Sequence, residues 1–252
     1  MARRRFFAPP SQFAPDGSTV QLAADEARHL CDVLRLRPGD EVYVFDGCGR
    51  EFRAVVEECG RDVATLSVRE EVKPARPEST LHLVLAVALL KGEKFDLVVQ
   101  KATELGITCI VPVVTKLADV RLKDERDATR RMERFRRIAL EACKQSGRAR
   151  VPEISEPVEF HSLIKSEPSN EWRVMFAERD GATLSATIDG LKARIDSITA
   201  LVGSEGGWTD EEIATAFAEG WNIVTLGGRT LRAETAAIAI ATLLQHLFGD
   251  LT

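Results

Sequence analysis

Two short stretches near the end of this 252-residue chain hold residue types from which a ligand site is built. The first, LVGSEGGWTDEE (residues 201–212), ends an apolar run in glycines around Ser204 and Glu205. It passes directly into a helix start, with Thr209 and Glu212 spaced as a capping box. The second, LGGRTLRAE (226–234), repeats the arrangement before the last helix. In open α/β sheets ligands bind outside the carboxyl ends of the strands, where such loops lie. Glycine there lets backbone N–H and C=O groups approach a flat ligand with no Cβ between them. Glu205 can accept a proton, or it can clamp N–H groups at the helix start. Arg229 and Arg232 are the only lysine or arginine residues after position 200. They can stabilise developing negative charge, or they can pair with Glu205 or Glu234.

Several chemistries are excluded or disfavoured. There is no G-x-x-x-x-G-K-[ST], which removes a P-loop nucleotidase. No G-x-G-x-x-G follows the first strand of the α/β part, which disfavours a nicotinamide oxidoreductase. The five cysteines form no C-x-x-C and the four histidines no H-E-x-x-H, so neither a disulfide framework nor a metal is expected. No apolar run reaches the roughly 18 residues of a membrane span, and MARRRFFAPP lacks the apolar stretch of a signal peptide. These features predict a cytoplasmic chain with no membrane or metal partner.

The elements that would position these loops fall into two parts. Residues 1–73 read as a short helix (DEARHLCDVL) followed by β-structure. EVYVFDGCGREFRAVVEE has the alternation of a hairpin about DGCGR, and DVATLSVREE reads as a further strand. Short strands with Gly-rich turns predict a small barrel, and KPARPEST (73–80) reads as a linker. Residues 74–252 alternate strands (LHLVLAVALL, CIVPVVT, WRVMFAE, ITALVG, NIVTLG) with helices. That rhythm predicts a mostly parallel sheet covered on both faces. The last helix, AAIAIATLLQHLF, is apolar nearly all round and calls for cover on every side.

Charge is unevenly placed. The formal net charge is −5, yet residues 116–150 carry 12 basic and 6 acidic side chains. Arg130, Arg134 and Arg137 share one face of the helix predicted there. A local basic face attracts phosphate backbones whatever the total charge; a solvated helix face is the alternative. Phe6 and Phe7 can stack on bases or pack a small barrel.

VGSEGGWTDEEI followed by LGGRTLRAETAAI resembles the paired signature of the knotted (SPOUT) methyltransferases. The chain is most similar to the ribosomal RNA small subunit methyltransferase E family, the 16S rRNA (uracil(1498)-N3)-methyltransferases. RRRFF, HLCDVLRLRPGD, KFDLVVQKATELGI and IALEACKQSGRARVP resemble that family's blocks in order. The family usually has proline where this chain has Ser204. The resemblance implies a PUA-like RNA-binding β-barrel (1–73) and a trefoil-knotted α/β domain (74–252). It also implies S-adenosylmethionine as methyl donor, 16S rRNA of the small ribosomal subunit as substrate, and a homodimer. Carried over, Leu201, Gly203, Glu205, Gly206 and Gly207 form one wall of the cofactor site; Leu226, Gly227, Leu231, Thr235 and Ala236 form the other. Arg232 and Glu205 become the catalytic candidates. Arg5, Arg35, Arg130, Arg134, Arg137, Gln145, Arg148 and Arg229 become RNA-binding candidates. A related enzyme acting on another RNA, and a catalytically silent RNA-binding protein, are the competing readings.

Overall fold

The computed structural model describes residues 3–60, 62–122, 124–165, 171–191 and 194–251. Its contacts divide into two compact units, residues 1–78 with 140–151, and residues 79–139 with 152–252.

The first unit is built on a five-stranded sheet of order β1-β3-β4-β5-β2. β1 (Arg5–Phe7) pairs in parallel with β3 (Glu41–Phe45). From β3 the sheet continues through β4 (Glu51–Cys59), β5 (Ala64–Val72) and β2 (Thr19–Leu22) by antiparallel pairs. Alternation decides which face is inside: Val42, Val44, Ala54, Val56, Ala64 and Leu66 point into one core with Val20 and Leu22. The helix expected at DEARHLCDVL is α1 (Ala24–Arg28) followed by one wide turn over 29–33; Ala27 and Leu30 close the core. Phe6 is buried in that core and Phe7 packs on Phe45, so both aromatics are packing residues. The strands β1 and β2 precede the helix and do not show in the sequence pattern. At three and four residues they are too short for alternation to register.

The second unit is one parallel sheet of order β11-β13-β10-β12-β6-β7-β8, with β9 also on β7. Its chain order is β6 (His82–Ala88), α2 (Lys94–Glu104), β7 (Cys109–Val114), α3 (Glu125–Ser146), β8 (Glu153–Ile154), β9 (Val158–Glu159) and α4 (Phe160–Ile164). Then follow β10 (Trp172–Phe176), β11 (Ala182–Thr183), α5 (Leu184–Asp189), β12 (Ser197–Val202), α6 (Asp210–Ala218), β13 (Asn222–Thr225) and α7 (Ala233–Phe248). The central strands are continuous apolar runs because helices cover both faces. Pro112 lies inside β7, where its missing N–H would break a ladder. It falls at the gap between β8, which pairs with Cys109 and Ile110, and β9, which pairs with Val113 and Val114. Gly106, at φ +83°, ends α2 in the left-handed conformation. Among the described residues no helix is long and apolar enough to cross a membrane.

Strand order places the site. β10 lies between β12 and β13, so the loops leaving all three emerge side by side at one edge of the sheet.

Candidate active site

Those three loops enclose a cavity of about 670 Å³. The β12 loop contributes Gly203, Ser204, Glu205 and Gly207. The β13 loop contributes Leu226 to Arg232, and α7 adds Ala233, Ala236 and Ile240. Of the residues expected there, Gly203, Glu205, Gly207, Leu226, Gly227, Leu231 and Ala236 line the cavity, together with Arg229 and Arg232. Leu201 does not; it is fully buried in the core under the site. Gly206 and Thr235 stand outside the lining residues, and Thr235 is exposed on α7.

Each glycine of the first loop has its own reason. A Cβ on Gly203 would lie 3.0 Å from the Trp208 indole. That ring is pinned beneath the cavity by a 2.9 Å hydrogen bond from its Nε1 to the Phe176 carbonyl. A Cβ on Gly206 would meet the Leu117 carbonyl oxygen at 2.8 Å. The Leu117 segment is held there by Glu212, which accepts from the Lys116 N–H while also closing the capping box with Thr209. Bulk at Gly206 therefore strikes a neighbouring loop and does not enter the cavity. Ser204 braces the turn from within: its hydroxyl accepts from the Gly206 N–H and its carbonyl from the Gly207 N–H.

Glu205 accepts a 2.8 Å hydrogen bond from Lys94 Nζ, at the start of α2. Partial burial alone would raise its pKa. The Lys94 hydrogen bond and backbone N–H groups outweigh that and hold the carboxyl below its usual range. A general base works best with a pKa near the working pH. Geometry and charge thus make Glu205 a clamp on Lys94 and a poor proton acceptor.

Arg229 and Arg232 are exposed to the cavity, and neither guanidinium has a carboxylate or carbonyl partner among the described residues. The pairing with Glu205 or Glu234 that would have neutralised them is not made. Glu205 is on Lys94, and Glu234 is buried with one oxygen unpartnered. Arg232 is also the N-cap position of α7, and no side chain caps that helix. Its first N–H groups point their partial positive charge at the same end of the cavity.

The RNA-binding candidates separate into two kinds. Arg5 donates to Glu51 and to the carbonyls of Cys143, Lys144 and Arg148, and its side chain is 6% exposed. Arg148 is equally buried and forks onto Glu78. Both are internal ties of the first unit, and every guanidinium nitrogen of Arg5 is already engaged. Arg130 and Arg134 are on the surface but pair with Asp127 and Asp96. Arg35, Arg137 and Gln145 are exposed and make no such pair among the described residues.

With this geometry in view, family models match two parts of the chain: an RNA methyltransferase domain over residues 77–245 and an RNA methyltransferase PUA domain over residues 22–68. The ribosomal RNA small subunit methyltransferase E of Synechocystis is 32% identical over 89% of this chain and 72% of its own. That of Rickettsia conorii is 32% identical over 88% of both. The chain belongs to the ribosomal RNA small subunit methyltransferase E family. A crystal structure of the Neisseria gonorrhoeae member, bound to S-adenosyl methionine, superposes with a TM-score of 0.87 at 32% identity, covering all of both chains. The methyltransferase E fold of a PUA unit and a parallel-sheet domain is thus the fold of this chain.

Among the lining residues that sequence reasoning missed are Lys94, Trp208 and Glu178. Trp208 stands inside the quoted motif and Glu178 is the last residue of the stretch WRVMFAE, so position alone could have nominated both. Lys94 opens the block KFDLVVQKATELGI, but its partner is 111 residues away, and nothing local marks it as part of the site.

Proposed function

We propose that this chain methylates N3 of a uracil in 16S rRNA, with S-adenosylmethionine as donor. The observation that carries this reading is the cavity at the ends of β10, β12 and β13, with an unpaired Arg232 beside the uncapped start of α7. The residues fit the donor. The volume suits a ligand of its size, and Gly227 and Gly228 leave backbone bare. Phe176, Leu226 and Ile240 give apolar wall for an adenine ring, and Arg229 and Arg232 await a carboxylate or an anion. When bound, the donor supplies an electrophilic methyl group on a sulfonium.

The protein's own task is the uracil. N3 carries an imide proton at neutral pH and becomes nucleophilic only as that proton passes to solvent, with charge developing on the flanking carbonyl oxygens. Arg232 and the first N–H groups of α7 are preorganised to stabilise that charge. Glu205 and Lys94 hold the first loop and the α2 start in register. Mapping N3-methyluridine in 16S rRNA from cells with and without the gene, then restoring it with purified protein, tests the reading. An unchanged map sinks it.

Gly206→Val is expected to weaken S-adenosylmethionine through the Leu117 contact. Overpacking typically costs about 1–3 kcal/mol, which is roughly 5- to 150-fold in affinity if it falls on the bound loop. Calorimetric titration reads this, with thermal melting to verify a folded sheet. Unchanged affinity would show that the Leu117 segment yields freely.

Phosphate contact is best carried by the exposed, unpaired Arg137. Arg137→Gln should lower the slope of log affinity for RNA against log salt by about 1. Arg130→Gln, whose guanidinium is already on Asp127, should change it less. Equal effects would mean that the Asp127 pair opens on binding. A homodimer belongs to the same proposal, supported by Leu243 and Leu247 exposed along α7.

A further inference from the structure

Glu178 has no place in the chemistry above, yet it occupies the middle of the site. It follows β10, and β10 lies between the strands that carry the two glycine loops. Phe176, Ala177 and Glu178 all line the cavity. The carboxylate rests on Gly207: a Cβ built there would lie 1.9 Å from Glu178 Oε1. Gly207 is at φ +68°, so the chain gives up a side chain at that point and the carboxylate fills the space.

Its hydrogen-bonding capacity is unused. Glu178 makes no hydrogen bond among the described residues and has only a 3.8 Å contact with the adjacent Arg179. That guanidinium is engaged elsewhere, donating to the Trp208 carbonyl at 2.9 Å and to Asp210 at 2.6 Å. The other carboxylate lining the cavity, Glu205, is held by Lys94. Besides Arg232, the cavity therefore offers the Arg229 guanidinium for a carboxylate and Glu178, which makes no hydrogen bond among the described residues, for a cation. An α-amino acid tail presents that combination, a carboxylate and an ammonium on one carbon.

We infer that Glu178 receives the α-ammonium of the donor's amino-acid tail, fixing the end of the molecule remote from the adenine. This rests on the proposed S-adenosylmethionine site. The interaction is a charge-assisted hydrogen bond, which orients the tail and excludes ligands lacking the ammonium.

Titration calorimetry of the full chain with three ligands tests it. S-adenosylmethionine carries both ammonium and sulfonium. S-adenosylhomocysteine keeps the ammonium without the sulfonium charge. Methylthioadenosine keeps the nucleoside and lacks the amino-acid tail. Glu178→Gln, near in shape and neutral, should lose roughly 10- to 100-fold for the first two alike and bind methylthioadenosine as the wild type does. The unchanged nucleoside affinity also shows that the variant's cavity is intact. A loss confined to S-adenosylmethionine would place Glu178 at the sulfonium and overturn the inference. An equal loss for all three would place it at the ribose or in the loop fold, and no loss would make it a bystander; either result also overturns it. If the wild type binds none of the three, the methyltransferase reading itself fails, an outcome distinct from the others.

Discussion

Arg232→Ala is expected to lower single-turnover methylation by about 10²–10³-fold, the usual loss when one preorganised donor is taken from a developing anion. Dissociation constants for donor and RNA should change little, because neutral uridine does not require the charge. The structure sharpens the expectation: the guanidinium lines the cavity, is unpaired among the described residues, and sits at the N-cap of a helix without a side-chain cap. Its removal leaves the α7 N–H groups in place, so the loss should be partial. Raising the pH should recover part of the rate, since more of the uracil is then already deprotonated. Arg229→Ala, in the same loop, provides the contrast. If Arg232→Ala loses donor affinity and keeps its rate at saturation, the arginine holds the donor's carboxylate and the anion role is wrong.

How much of this was legible in the sequence depends on the range over which each signal acts. Both glycine loops and the Thr209–Glu212 capping box are local patterns, and the structure has them where the sequence put them. The alternation of strand and helix after residue 80 is also local, and it predicted the parallel sheet. Between 151 and 191 the elements β8, β9, α4, β11 and α5 have two to six residues each; no period can establish itself over so few. The arginines show the deeper limit. Arg5, Arg148 and Arg232 are the same residue type in similarly basic or glycine-rich settings. Whether a guanidinium faces a ligand or a buried carboxylate is decided by partners far along the chain. Arg5 meets Glu51 and Arg148 meets Glu78, and those acids look in sequence like any other acid in a strand or linker. Leu201 fails for a related reason: it lies within β12 with its side chain in the core, and the cavity lining begins only at Val202.

Glu51 should be among the most costly residues to replace in the first unit. It is fully buried and accepts from Arg3, from two nitrogens of Arg5, and from the Ala75 N–H. Glu51→Ala removes the anion and leaves the Arg5 guanidinium buried with carbonyls alone. Breaking one side of a buried pair typically costs about 3–5 kcal/mol. For a unit of this size that lowers the melting temperature by more than about 10 °C. Glu51→Gln keeps an acceptor oxygen and should cost less. Arg4→Ala, exposed and outside every ion pair among the described residues, should stay within about 0.5 kcal/mol. The same melts decide what Arg5 does. A tie to Glu51 requires Arg5→Ala to destabilise about as much as Glu51→Ala, with the double variant no worse than either alone. Suppose instead that Arg5→Ala melts like the wild type and flattens the salt dependence of RNA binding. The guanidinium then leaves Glu51 for a phosphate, and the buried pair is only its resting place.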